Sequence, residues 1–206
     1  MTDRTWFSVL VGALLATGCG SPAEGETATA EAAISQRGVI SRGEVAGRAE
    51  GWIARGIRYN WDKKTDGYRR DCSGYVSMSL AIPTDANGGP NTVSLRDHVS
   101  EIDRSHLKLG DIIGKIGPGT EGDKGHVLLF KQWVDSNTYE AYEMHGPTGT
   151  AVEVTRRPYP YDRERDRDAD LYKPYRYSKI SECPGYVSPG GACCPTDGTC
   201  RPGCGC

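Results

Sequence analysis

Apolar positions first recur with a helical period after Ser41. Val45, Ala49, Trp52, Ile53 and Gly56 stand at i, i+4, i+7, i+8 and i+11, and Ser41 with Glu44 makes a capping box ahead of them. The spacing predicts one amphipathic helix whose stripe faces a core. A second helical run holds Cys72, Tyr75, Val76 and Leu80 until Pro83 stops it, which places Cys72 on its first turn. The charged stretch from Leu95 to His106 reads as a further helix with His98 and His106 as solvated side chains. The runs then become strand-length. Asp111-Ile112-Ile113 and His126-Val127-Leu128-Leu129-Phe130 are separated by Gly- and Pro-rich turn residues, which predicts a hairpin whose second strand His126 opens. From Tyr139 to His145 the period of two puts Tyr139, Ala141, Glu143 and His145 on one face, so that His145 is placed to orient His126. Arg156 to Tyr177 mixes seven basic and five acidic residues with Tyr and Pro, the pattern of a solvated last strand and loop. Helices first and strands afterwards is the order of a segregated α+β architecture.

The flanks read differently. Arg4 precedes an apolar run of eleven residues, Trp6 to Ala16, too short for the ~20 residues of a spanning helix. With Thr17-Gly18-Cys19 behind it, the run predicts an export signal over residues 1–19 and lipidation at Cys19, plain cleavage near Ala28-Thr29-Ala30 being the alternative. Residues 20–38 are rich in Ser, Ala, Glu, Thr and Gly, with Ile34 as the single large aliphatic residue, and predict a flexible linker. One folded domain is expected over residues 39–180. Lys and Arg number 25 against 27 Asp and Glu, so no basic excess exists to neutralise a nucleic-acid backbone or coat an anionic membrane. Contact with a membrane is expected only through a lipid on Cys19.

Eight cysteines refine the picture. Cys183, Cys193, Cys194, Cys200, Cys204 and Cys206 crowd into residues 183–206, where an exported chain is expected to hold them as disulfides. Metal binding is the competing reading of Cys200, Cys204 and Cys206, weakened by the lack of a nearby His or a paired C-x-x-C. With Cys19 set aside, Cys72 is left unpaired. At a helix N-terminus the unpaired backbone N–H groups and the positive end of the dipole stabilise a thiolate, which makes Cys72 either a nucleophile or a buried core thiol. No cofactor is expected. Gly117 to Gly122 spells G-x-G-x-x-G but leads into a strand, and Asp166 to Asp170 lacks the Gly and Glu of a calcium loop.

Asp71-Cys72-Ser73-Gly74-Tyr75-Val76, Leu107-Lys108-Leu109-Gly110-Asp111-Ile112 and Gly125-His126-Val127, in that order, resemble the motifs of the NlpC family of bacterial cell-wall cysteine endopeptidases, over roughly Arg42 to Tyr177. Gly56 to Trp61 looks like the family's Y-x-W-G segment, and Met144-His145-Gly146-Pro147-Thr148 with Val152 looks like the stretch that bears its third polar catalytic residue. Leu109 stands where Pro is usual. The 19 residues from His126 to His145 exceed the family's habit, which calls for an extended hairpin around Asp135-Ser136-Asn137 and leaves Glu143 as a second candidate. The resemblance implies a papain-like fold, Cys72 as nucleophile, His126 as base, His145 or Glu143 as third residue, and Tyr59 beside the thiol. It further implies a monomeric peptidase acting on peptidoglycan stem peptides, at the γ-D-glutamyl to diamino-acid bond. A CHAP-type amidase and an inactive wall- or surface-binding protein are the alternatives.

Overall fold

The computed structural model describes residues 38–182 apart from 163 and 165. The expected export signal with Cys19, the linker ahead of residue 38 and the tail with Cys183, Cys193, Cys194, Cys200, Cys204 and Cys206 lie outside the described residues. In chain order the described part runs β1 (Ile40–Ser41), α1 (Arg42–Ala54), β2 (Asn60–Thr65), β3 (Tyr68–Arg70), α2 (Cys72–Ser79), β4 (Val99–Glu101), β5 (Ile112–Lys115), β6 (His126–Trp133), β7 (Thr138–Glu143), β8 (Glu153–Pro158), β9 (Lys173–Tyr177) and β10 (Ile180–Ser181). The class is α+β. Six strands form one antiparallel sheet in the order β4-β9-β5-β6-β7-β8, while β2 and β3 make a separate hairpin.

Helix α1 starts where its capping box stands: the Ser41 hydroxyl accepts from the Glu44 N–H, and the Glu44 carboxylate accepts from the Ser41 N–H at 2.8 Å. Val45, Ala49 and Trp52 are buried as the periodicity predicts. Gly56 is not on that stripe. It lies exposed beyond the helix end, where the Gly56 N–H donates to Ile53 and the Ile57 N–H to Trp52, the Schellman pairing that stops a helix. The stretch from Leu95 to His106 is not a helix either. It divides into single turns at Ser94–His98 and Arg104–His106 around β4, because the β9 edge recruits Val99–Glu101 into the sheet. His98 is half-buried and His106 exposed, both away from the cleft described below.

Both faces of the sheet are covered, which is why its strands read as unbroken apolar runs. Val127, Leu129, Tyr142 and Met144 face the helices and pack with Val45, Trp52, Tyr75 and Val76. Leu128, Phe130, Tyr139 and Ala141 face the other way and pack with Leu107, Ile113 and Tyr172. Two ends of the described chain meet: β1 and β10 pair in parallel, Ile40 with Ile180, and Arg42 donates to Glu182 at 2.8 Å. Arg42 and Arg176 also grip the fully buried Asp111 at 3.0 and 2.7 Å.

Helix α2 is set by its N-terminus. The extended Asp71 caps it, its Oδ1 accepting from the Gly74 N–H at 2.6 Å. Arg69 donates to Asp71 Oδ2 at 2.8 Å and also to the carbonyls of Gly89 and Pro90, tying the start of α2 to the loop behind it. Gly74 is required here, since a Cβ would lie 2.1 Å from the Arg69 carbonyl oxygen. Gly74→Ala is therefore expected to destabilise the fold by about 1–3 kcal/mol as the backbone shifts to relieve the clash, read as a lowered urea midpoint; an unchanged midpoint contradicts the tight junction.

Candidate active site

Cys72 is the first residue of α2 and, among the described residues, a free buried thiol. It opens onto a cleft of about 1010 Å³ that also takes in Tyr59, Trp61, His126, His145 and Tyr172. A smaller hollow of about 280 Å³ is also lined by Cys72 and Trp61. Cys72 therefore borders both.

His126 begins β6, opposite Lys115 of β5. Gly125 before it is pinched: a Cβ there would meet the Thr120 carbonyl oxygen at 2.6 Å and Thr92 Oγ1 at 2.7 Å. The His126 ring interacts with the Cys72 thiol, and its Nε2 lies 2.8 Å from Glu143 Oε1. With Nε2 committed to Glu143, Nδ1 is the ring nitrogen left for the thiol. Cys72 and His126 thus line one cleft, and the far nitrogen of the ring is bonded to Glu143.

Glu143, and not His145, makes the orienting bond. Strand β7 ends at Glu143. Tyr142 pairs with Leu129, so Glu143 comes level with Leu128, on the same face as His126 and diagonal to it, within reach of a long side chain. His145 would stand opposite His126 only if the pairing continued, and the chain turns away through Gly146-Pro147 instead. The His145 ring lies 3.2 Å from the Gly146 carbonyl oxygen through Nδ1 and 3.4 Å from Glu153 through Nε2. It lines the cleft without touching the dyad's hydrogen bonds.

The Glu143 carboxylate is fully buried and saturated with donors. Oε1 accepts from Tyr161 Oη at 2.8 Å besides His126, and Oε2 accepts from Thr155 Oγ1 at 2.5 Å and from Arg157 Nε at 2.8 Å. Arg157 Nη2 is also 2.8 Å from Oε2. Tyr161 stacks on Tyr172 with ring centres 4.3 Å apart, and this pair flanks the His126 ring. None of Thr155, Arg157, Tyr161 and Tyr172 is singled out by local sequence pattern. The available signal was alternation in β8, where Thr155 opposes Ala141 and Arg157 opposes Tyr139, both on the Glu143 face.

The charges follow from these contacts. Burial alone drags the His126 imidazolium down, but its interactions with Cys72 and Glu143 and the charges of both outweigh that loss and raise its pKa from 6.5 to about 10. Burial pushes Glu143 up, yet the His126 and Arg157 interactions win and hold it well below the usual carboxylate range. Burial first, then the charges of Cys72 and Asp71, push Tyr59 far above an ordinary phenol, so its hydroxyl remains a donor. Lys115, facing the same cleft, is paired with Asp168.

Compared with known protein families, curated proteins and solved structures, the chain matches none.

The raised His126 value lies above that of the unfolded chain, so its contribution to stability is full below about pH 6.5 and is lost as pH rises through about 10. Glu143, depressed, contributes above its unfolded value of 4.5 and loses that contribution only as pH falls through its folded value. Wild-type protein is expected to lose stability between pH 6.5 and 10 more steeply than His126→Gln, measured by urea unfolding at fixed ionic strength; parallel curves contradict the assignment.

Proposed function

We propose that this chain is a cysteine peptidase with a papain-like arrangement that cuts the stem peptides of bacterial peptidoglycan. The observation that carries the proposal is the meeting of Cys72 and His126 in an open cleft, with the His126 ring bonded on its far side to the buried Glu143. A thiol at a helix N-terminus, a ring nitrogen beside it and a carboxylate fixing the opposite nitrogen are the parts of a nucleophile–base–orienter triad. The motifs around Cys72 and His126 that resemble the NlpC family supply the substrate class. An export signal and a cysteine-rich tail fit a substrate outside the cell membrane.

The reaction follows from the groups present. The Cys72 thiolate adds to the scissile carbonyl, and the first-turn N–H of Cys72 with the Tyr59 hydroxyl stabilises the oxyanion. His126 gives its proton to the departing amine as the C–N bond breaks, leaving a thioester on Cys72. The neutral ring then takes a proton from water as its oxygen attacks the thioester, and the thiolate departs. Glu143 holds the ring in the orientation both halves require. His145 and Trp61, at the walls of the cleft, contact the substrate and not the reacting atoms.

Purified protein is expected to release muropeptides from cell walls with a new terminus at the γ-D-glutamyl to diamino-acid bond, and Cys72→Ala to release none. Mass spectrometry of the products decides. Cleavage between the glycan and the first alanine marks an amidase of the CHAP type instead, and equal release by Cys72→Ala removes the peptidase reading altogether.

A further inference from the structure

The Arg157 guanidinium lies behind the triad, buried and outside the substrate cleft, where no step of the proposed reaction touches it. It approaches a single oxygen of Glu143 with two nitrogens, Nε and Nη2, both at 2.8 Å, while Thr155 donates to the same oxygen. Three donor atoms converge on Oε2, leaving Oε1 turned toward His126 and Tyr161.

A carboxylate with no exposure to water is costly to leave charged unless a partner and further hydrogen bonds offset the loss of hydration. Without Arg157, the His126 imidazolium would be left as the one charged partner of Glu143, and a proton shared between the two would move toward the carboxylate. A protonated carboxyl no longer provides the charge that keeps the imidazolium protonated, and an O–H on the oxygen facing the ring is a donor that can no longer accept from the ring N–H. The groups facing the pair from each neighbouring element are few. Cys72 of α2, Lys115 of β5, and Tyr161 and Tyr172 beside the ring surround His126. Tyr139 of β7, Thr155 and Arg157 of β8, and Tyr161 surround Glu143. Lys115 is turned to Asp168, so besides the His126 ring itself Arg157 is the cation bonded to Glu143.

We infer that Arg157 is a positioning residue that keeps Glu143 ionised and turned toward His126, and so sets the pH range over which the Cys72–His126 pair is ready to react. Tyr161 assists from the other oxygen. Its ring packs 5.5 Å from the Arg157 guanidinium, so the cation, the carboxylate and the phenol form one block. This inference rests on reading Cys72, His126 and Glu143 as one catalytic unit, and it extends that unit to a residue that never meets substrate.

The test follows the His126 ring by NMR titration, together with the pH dependence of Cys72 alkylation by iodoacetamide, in wild type, Arg157→Met, Glu143→Gln and the double variant. In Arg157→Met the His126 midpoint is expected to fall by about one unit or more, a tenfold change in proton affinity, and the alkylation profile to move with it. In the Glu143→Gln background, Arg157→Met is expected to add no further shift. An unchanged midpoint in Arg157→Met, or an equal shift with and without Glu143, overturns the assignment. If Arg157→Met does not fold, Arg157→Gln, which keeps polar bulk without charge, carries the same two outcomes. Neither readout uses peptidoglycan, so absent muropeptide release with the expected titration removes the substrate reading and leaves the role of Arg157 standing.

Discussion

A negative charge buried at the end of β7 is the constraint around which the cleft end of the sheet is arranged. Glu143 has no water to solvate it, so each lone pair must find a donor inside the protein. Those donors come from β6, β8 and the loop that follows β8, which means that three separate segments are drawn to one carboxylate. The register of β7 on both neighbours is what brings them there. A slip by one residue would turn Glu143 to the helix side and leave Arg157 buried without its counter-charge. The same interaction that fixes the His126 ring therefore also selects the strand pairing.

The other half of the site is delivered by backbone chemistry. Asp71 closes the first turn of α2, Arg69 binds Asp71 and the loop carbonyls behind it, and Gly74 lets the helix press against the Arg69 carbonyl. These contacts place a thiol at the N-terminal end of a helix and aim it along the sheet. Two rigid supports, a capped helix and a charge-pinned strand, thus bring Cys72 and His126 to one cleft. Preorganisation of this kind lets a protein hold reacting groups in place without help from the substrate.

Local signals were legible where they were short in range. The Ser41 capping box, the stop before Pro83 and the hairpin opened by His126 all depend on neighbours within a few residues, and each element formed where its pattern lay. Gly56 fell outside its helix because apolar spacing says nothing of where the last hydrogen bond closes. The segment around Val99 became a strand because the edge of β9 offered partners far along the chain. The choice between His145 and Glu143 turned on where β7 ends, which the period of two does not encode. Arg157 was the least visible, since a charged run reads as solvated unless its register is known, and only pairing with β7 reveals that alternate members point inward.

The meeting of β1 with β10 has a mechanical meaning. Because residues 40 and 180 lie side by side, a pull between the two flanking segments is borne by a two-residue parallel pairing and the Arg42–Glu182 contact. Pulled from the start of one and the end of the other, parallel strands are loaded in shear, so this pairing and the Arg42–Glu182 contact take the load together. Arg42 and Arg176 pass it on to Asp111 beside the start of β5, so the junction bears the strain ahead of the strands that hold the cleft.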